Sequence, residues 1–182
     1  NDPQAMLRHT RECRTRKIPF IADPSQQLAF SDGPEIKELI EGATYLITNE
    51  YEARLTEQKT GWTQADIAAR VTHRVTTRGK DGVSIESPGV EPIHVGVAKV
   101  ARLADPTGVG DAFRAGFLAG LGAGLGHRRC AELGSVLAAH VIETVGTQEY
   151  ELSTRGFLNR LAEAYGEDSA SEIAPHLRCP RP

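Results

Sequence analysis

The sequence is poor in several features that mark particular classes of protein. Its 21 lysines and arginines stand against 24 acidic residues, a formal net charge of -3 with no basic stripe, which argues against nucleic acid as a partner. No apolar run approaches the roughly 20 residues that a membrane helix needs, and we expect no signal peptide. Cys13, Cys130 and Cys179 are far apart and form no CxxC pair, so we expect reduced thiols in a cytoplasmic protein.

Three common ligand-binding motifs are also missing. Gly79-Lys80 is followed by Asp81 rather than by serine or threonine, which excludes a Walker A loop, and no GxGxxG pattern occurs. The six histidines are scattered without an HExxH or other metal-binding spacing, so we interpret them as surface or satisfied core residues. Any nucleotide must therefore be held by another kind of loop.

What the sequence does contain is an alternation of strand and helix patterns. The 182 residues, 40% of them hydrophobic, suit one globular domain. Strands are predicted at 19–22, 45–48, 74–77, 83–86 and 93–97, and helices at 34–41, 50–60, 64–70, 111–121, 128–144 and 154–165, after an opening helix capped by Asp2-Pro3. This order predicts an α/β fold with a mostly parallel central sheet flanked by helices. Ligands in such sheets bind at the carboxyl ends of strands, so the informative loops are DPSQQ, NEYE, TRGKDG and DPTGVGD.

The segment DPTGVGD carries the strongest chemical pattern. Gly108 and Gly110 let backbone N–H groups approach an anion at the start of a helix. A carboxylate beside an anion site should repel the anion, but Asp111 could use its position to accept a proton during phosphoryl transfer. The same residues suit an ordinary helix N-cap in a glycine turn, and the motif alone leaves both interpretations open.

The helix after this motif is expected to pack closely. Phe113, Phe117 and Leu121 follow each other at i, i+4 spacing and form one apolar stripe. Gly116 and Gly120 lie beside that stripe and would let the helix approach the sheet closely.

Two other loops admit a functional and a structural interpretation. Asn49 and Glu52 lie three residues apart at a helix start, where an amide and a carboxylate could orient water around Mg²⁺. The same pair fits a capping box, which is the interpretation favoured when the pair is considered alone. The stretch from Thr77 to Gly82 could lie along a triphosphate or a ribose, although most such loops are plain turns.

In this order, N-x-x-E, T-x-G-x-x-G and D-x-T-G-x-G-D resemble the PfkB-like, ribokinase-type small-molecule kinases. Within that family, DPSQQ, TNEYE, KTGW, RVTT, DPTGVGDAFRAGFLAG, ELGS and ETVGTQE are similar to the bacterial adenosine kinases. The resemblance covers nearly the whole chain but only about the C-terminal half of the family's domain. It implies a ribokinase-like, nucleotide-binding part at residues 1–177, without the N-terminal half and lid, and a loose tail at residues 178–182.

The resemblance also implies roles for particular residues. The catalytic base of the family corresponds to Asp111, and its anion hole to Gly108, Val109 and Gly110. The ATP site corresponds to a longer set: Asn49, Thr77, Arg78, Gly79, Lys80, Asp81 and Gly82.

Other positions correspond to the acceptor and to metal ions. Gln26 and Gln27 match a pair that reaches the nucleoside site, and Glu52 matches a residue that positions Mg²⁺ indirectly. Asp105 and Thr107 fall where family members often hold K⁺.

The resemblance therefore implies ATP- and Mg²⁺-dependent phosphorylation of the 5′-hydroxyl of adenosine. Two alternatives stay open: a sugar kinase of the same family, and a non-catalytic ATP-binding remnant or subunit whose partner supplies the missing half. The expected partners are small-molecule nucleosides or sugars, with a homodimer allowed. Neither nucleic acid nor a membrane is expected as a partner.

Overall fold

The computed structural model of the chain describes residues 2–177. Its helices are α1 Pro3–Arg16, α2 Gln27–Phe30, α3 Gly33–Ile40, α4 Glu50–Thr60, α5 Gln64–Ala68, α6 Val109–Gly122, α7 His127–Ile142, α8 Thr154–Tyr165 and α9 Glu167–Ile173. Its strands are β1 Ile21–Ala22, β2 Tyr45–Asn49, β3 His73–Thr77, β4 Val83–Ser87 and β5 Val90–Val95. The loose tail expected at residues 178–182, with Cys179, lies outside the described residues.

The chain divides into two compact units. One comprises Asn1–Gly79 and Val83–Ile93, and the other comprises Lys80–Gly82 and His94–Pro182. Within the described part of the chain, no helix combines the length and the apolar character that a membrane crossing requires.

The first unit is built on the sheet, whose strand order is β1-β2-β3-β4-β5. β1, β2 and β3 run parallel, with Ala22 opposite Leu46 and Asn49 opposite Thr77, whereas β4 pairs antiparallel with β3. The sheet is therefore mixed and mostly parallel with helices around it, which confirms the predicted fold class.

Several details of the sheet differ from the prediction, and the strand expected at 93–97 is β5 Val90–Val95. β1 is shorter than the expected strand at 19–22, because Pro19 has no N–H to donate to a ladder. The turn between β4 and β5 is also tighter than expected, since β4 continues to Ser87 and only Pro88 and Gly89 separate it from β5. Gly89 takes the left-handed conformation there, with φ of 70°.

The core of the first unit lies on one face of β1 and β2, under the helices that follow them. It consists of buried aliphatic side chains: Ala22, Leu28, Ile36, Ile40, Ala43, Leu46, Ile67 and Val71. α3 presents Ile36 and Ile40 to this cluster, the spacing of one helical face. Trp62 packs against the cluster with the Arg70 guanidinium 4.3 Å from its ring, so it is a packing residue.

Two short helices were not predicted. α2 is a single turn that begins at Gln27, the last residue of DPSQQ, and buries Leu28. α9 follows α8 after one residue and buries Ser169, Ala170 and Ile173. Both are too short for a periodic pattern to stand out in the sequence.

The second unit is organised around the pair α6 and α7. A Cβ built on Gly116 would lie 2.6 Å from the Cα of Gly134, and one built on Gly120 would lie 2.9 Å from the Cα of Cys130. These glycines therefore let α6 approach α7, and the expectation that they face the sheet was wrong. The periodicity of the sequence shows which side of α6 is small, but not which element covers it.

The remaining core of the second unit joins α7 to α8 and α9. It consists of Ala98, Leu133, Val136, Ala139, Phe157, Leu161, Ala170 and Ile173. Beside it, the fully buried Ser169 donates its hydroxyl to Oε2 of the buried Glu132 at 2.6 Å. This hydroxyl and this carboxylate are thus paired in the interior.

Candidate functional site

In the first unit, three of the singled-out loops leave the same edge of the sheet. Parallel strands end at a common edge, and the register puts Asn49 of β2 beside Thr77 of β3. DPSQQ follows the carboxyl end of β1. The fold therefore brings these three loops to the edge at which α/β sheets bind ligands.

Asn49 and Glu52 form a complete capping box at the start of α4. The Glu52 N–H donates to Oδ1 of Asn49 at 2.8 Å, and the Asn49 N–H donates to Oε2 of Glu52 at 2.7 Å. The structural interpretation of this pair is thus realised. Among the described residues, no group of three or more His, Cys, Asp or Glu side chains could hold a metal ion.

The residues after β1 form one wall of a groove. Gln26 occupies the N-cap position of α2 with helical φ and ψ, and the preceding Ser25 has a positive φ of 46°. The groove has a volume of about 370 Å³ and is lined by Ser25, Gln26, Leu28, Ala29, Phe30, Tyr51, Glu52 and Leu55. The structure thus places Gln26 beside Glu52, whereas Gln27 is the first residue of α2 and is half-buried.

The loop from Thr77 to Gly82 is shaped by its two glycines. Gly79 begins a 3-10 turn with φ of 54°. Gly82 has φ of 83°, and a Cβ built on it would lie 2.1 Å from the carbonyl oxygen of Val95, so only glycine fits there. The Nε of Arg78 is buried and bonds to no group in the described part of the chain.

In the second unit, the DPTGVGD segment forms the N-terminus of α6. Gly108 occupies the N-cap position with φ of 78° and provides no side-chain cap. The Val109 N–H turns back to the Pro106 carbonyl at 3.3 Å, whereas the N–H groups of Gly108 and Gly110 donate to no group among residues 2–177. Two backbone donors at this helix start thus stay available to an anion, whereas the Val109 N–H is directed to the Pro106 carbonyl.

Asp111 does not cap the helix. It lies inside the first turn, with its side chain 88% exposed and Oδ1 3.7 Å from a guanidinium nitrogen of Arg114. The alternative interpretation of Asp111 as an ordinary N-cap is therefore not realised. An exposed carboxylate beside free N–H donors has the arrangement that a general base for a bound hydroxyl requires.

Asp105 braces the loop before α6. Its Oδ1 accepts the Thr107 N–H at 2.9 Å, and its Oδ2 accepts the Gly146 N–H at 3.2 Å. Hydrogen bonds from the hydroxyl and the N–H of Thr107, and then from Gly146, hold the pKa of the Asp105 carboxyl below its ordinary value. Its carboxylate is thus engaged in structural bonds.

A charged residue that no motif singled out also contacts this loop, and a second charged residue pairs with the first. Glu143, just after α7, accepts the Ala101 N–H at 2.6 Å and pairs with Arg160 of α8 at 2.7 Å. Their separation of 17 residues follows no helical or strand spacing. The only signal in the sequence is a carboxylate at the end of a predicted helix, where a negative charge is unfavourable without a partner.

Comparison with known proteins places this geometry in a family. The model of the pfkB family carbohydrate kinases matches residues 1–155. A nucleoside kinase of Methanocaldococcus jannaschii is 30% identical over 126 residues, which are 69% of this chain and 41% of that protein. A cytidine kinase of Thermococcus kodakarensis is 27% identical over 151 residues, which are 79% of this chain and 53% of that protein.

Solved structures agree with the family model. The nucleoside kinase of Burkholderia thailandensis in complex with inosine superposes with a TM-score of 0.85 at 37% identity, over 90% of this chain and 54% of that one. The chain thus spans about half the length of the relatives that it matches. The predicted resemblance and the ribokinase-like fold are confirmed, and the chain belongs to the pfkB carbohydrate kinase family.

Proposed function

We propose that the chain carries nucleotide-binding and phosphate-holding parts of an ATP-dependent nucleoside kinase. The observation that carries the proposal is the start of α6, where two N–H groups without partners stand beside the exposed carboxylate of Asp111. Helix N-termini favour anions. Phosphoryl transfer to a hydroxyl needs a base that accepts the hydroxyl proton, and a carboxylate beside the anion site can serve as that base.

In the proposed reaction, Asp111 accepts the proton of the acceptor hydroxyl as that oxygen attacks the γ-phosphorus of ATP. The bond between the γ-phosphorus and the bridging oxygen breaks, and ADP leaves. The N–H groups of Gly108 and Gly110 would steady the charge on the phosphoryl oxygens. The exposure of Asp111 suits this role because the acceptor must reach its carboxylate.

The nucleotide is assigned to the loops at the sheet edge and to the segment after β3. Asn49 and Thr77 are neighbours in the register, and the close backbone approach at Gly82 shapes the following turn. The buried Nε of Arg78, which bonds to no described group, would find a partner in a phosphate oxygen. The rest of the proposed set, Gly79, Lys80 and Asp81, forms the 3-10 turn between them.

Mg²⁺ fits this proposal in an indirect way. The ion supplies charge neutralisation between phosphate oxygens when bound, and it commonly takes only one or two protein carboxylates. Oε2 of Glu52 already accepts the Asn49 N–H in the capping box. Glu52 would therefore contact a water molecule bound to Mg²⁺ rather than the ion directly. K⁺ fits less well, because both oxygens of Asp105 already accept N–H groups, and no step depends on it.

We take adenosine as the first acceptor to test, with Gln26 and Gln27 toward the base. The similarity to adenosine kinases in DPSQQ and TNEYE supports this choice. The relatives act on, or are solved with, other nucleosides: a cytidine kinase, and a nucleoside kinase with inosine. The family description, carbohydrate kinase, keeps a sugar acceptor as the second candidate.

The test measures ADP release by the chain with ATP, Mg²⁺ and each of adenosine, inosine, cytidine, ribose and fructose, with ATP binding followed by calorimetry. We expect turnover with a nucleoside, and we expect Asp111→Asn to lower it by about 10² to 10⁴ while ATP affinity is kept. Asp168→Asn is the matched control, since Asp168 is an exposed aspartate in the first turn of α9. ATP binding without turnover for any acceptor would instead support the ATP-binding remnant.

A further inference from the structure

The segment 101–107 leads directly into α6 and has no regular secondary structure. Its backbone is hydrogen-bonded to the end of α7. The N–H groups of Ala104 and Asp105 donate to the Ile142 carbonyl at 2.9 and 3.3 Å. The Gly146 N–H returns to Oδ2 of Asp105 at 3.2 Å. The position of the α6 N-terminus thus depends on the residues that end α7.

Glu143 is at the centre of this connection. Its Oε1 accepts the Ala101 N–H at 2.6 Å, and its backbone carbonyl accepts Nε of Arg102 at 2.8 Å. One guanidinium nitrogen of Arg160 donates to Oε1 at 2.7 Å and to Oε2 at 2.8 Å. A single carboxylate therefore connects the loop, the end of α7 and α8.

The burial of this pair distinguishes it from an ordinary surface ion pair. The side chains of Glu143 and Arg160 are only 18% and 19% exposed. Burial alone raises the pKa of the Glu143 carboxyl, but hydrogen bonds from Arg160 and Ala101 outweigh burial and hold that pKa below its ordinary value. A charge held with this many donors has one favoured geometry, because each donor must be satisfied at once.

We infer that Glu143 and Arg160 are positioning residues, which hold segment 101–107 so that Gly108, Gly110 and Asp111 keep the geometry that phosphoryl transfer needs. The inference rests on the proposed function. In this inference neither residue touches the reacting atoms. Their effect on the site passes through the backbone at Ala101. Misplacement of a reacting group by about 1 Å can cost about 10²-fold in rate, so loosening this loop should lower the rate more than the affinity.

The decisive variant is Glu143→Gln, which keeps the size and an acceptor for the Ala101 N–H but removes the charge that holds Arg160. We expect kcat to fall by about 10- to 100-fold while KM for ATP changes less than about twofold. Glu172→Gln is the matched control, because Glu172 pairs with Arg129 at 2.9 Å through both oxygens and contacts α7 rather than segment 101–107. We expect its kcat to equal that of the wild type.

Substitutions of Arg160 provide a second kinetic test. Lys can keep one charged donor toward Glu143, whereas Met of similar length cannot. We therefore expect Arg160→Lys to retain about tenfold more kcat than Arg160→Met. Equal kcat in these two variants, or a raised KM at unchanged kcat in Glu143→Gln, would overturn the positioning role.

Amide hydrogen exchange tests the anchor without any turnover. Peptides covering 101–107 should exchange at least about fivefold faster in Glu143→Gln than in Glu172→Gln. Equal exchange would overturn the anchor even in an active enzyme. If the wild type turns over no acceptor, the kinase proposal fails and the positioning role fails with it, while faster exchange would still support the anchor itself.

Discussion

At the residue scale, the same kind of ambiguity is resolved in opposite ways at two helix starts. Asn49 caps α4 with its own side chain, as a capping residue should. Asp111 was also open to a capping interpretation, yet Gly108 occupies the N-cap position of α6 and Asp111 stays exposed. A carboxylate that satisfies no local backbone group is available for chemistry.

The conformation of Gly108 leads to a stability prediction. Gly108 has φ of 78°, and a Cβ there would lie 2.8 Å from Cγ2 of Thr147. Gly108→Ala should therefore lower the free energy of unfolding by about 1–3 kcal/mol, measured by urea denaturation. Gly110→Ala is the control, because Gly110 has no positive φ and its Cβ would meet only the guanidinium end of Arg114. Equal losses in both variants would contradict this account.

His140 leads to a prediction about pH. Its ring stacks on Phe157 at 5.7 Å, and Arg160 and Glu143 are the charged groups acting on it. Burial, followed by the positive charge of Arg160, lowers the pKa of His140 from its ordinary 6.5, and Glu143 opposes this only in part. The unfolded chain therefore binds a proton more readily, so stability should fall as the pH drops from 7.5 through about 6.5.

The measurement is the free energy of unfolding between pH 5.5 and 7.5. His140→Gln should flatten this dependence, whereas replacing the exposed His176 by Gln should leave it unchanged. The lowered pKa values of Asp105 and Glu143 add a separate loss of stability in acid, below about pH 4. A wild-type stability that is flat through pH 6.5 would contradict the role of His140.

At the element scale, α4 and α8 were predicted to the residue, whereas α3 begins and ends one residue before the predicted 34–41 and α5 ends at Ala68 rather than at residue 70. α4 begins after the Asn49 cap and ends before Gly61, whose φ of 68° is left-handed. α8 begins after Ser153, which accepts the Gly156 N–H at 3.1 Å. These signals need no distant residue, so the sequence contains them in full.

The contact between α6 and α7 can be tested by replacing two glycines of α6 separately and comparing the stability of the two variants. Gly116→Ala would push a methyl group to 2.6 Å from the Cα of Gly134 and should cost about 1–3 kcal/mol of stability. Gly122, the last residue of α6, has no atom within 4 Å of a built Cβ. Gly122→Ala should be neutral or stabilising by up to about 1 kcal/mol, since alanine favours helix. A Gly116→Ala protein as stable as Gly122→Ala would refute the close packing.

At the scale of the whole molecule, the proposed roles are divided between residues of the two compact units. Asn49, Glu52 and Thr77 belong to the first unit, and Asp111 belongs to the second. Gln26 and Glu52 line one groove, and Asn49 lies opposite Thr77 in the strand register. Parallel strand pairing brings these residues together from positions 26 and 28 residues apart in the sequence. The order of the motifs in the sequence suggested such a meeting, but only the register specifies which residues are neighbours.

Binding of ATP to the whole chain predicts a change in melting temperature. ATP with Mg²⁺ at about 100 times its Kd should stabilise the folded chain by about 2.7 kcal/mol. For a protein of this size, that energy raises Tm by roughly 5–10 °C. NAD⁺ is the control, since the chain has no GxGxxG loop. No shift with saturating ATP, or an equal shift with NAD⁺, would contradict the nucleotide site.

The sequence by itself determined the class of fold and the ends of α4 and α8, and it predicted the loops that we propose carry the chemistry, because hydrophobic period, caps and glycines act over a few residues. Only the tertiary structure decided that Asp111 is not a cap, that Gly116 faces α7, and that Glu143 and Arg160 hold the loop before α6. Each of these facts depends on which distant backbone or side chain lies opposite. Such pairings are set by packing and strand register, which no local pattern records.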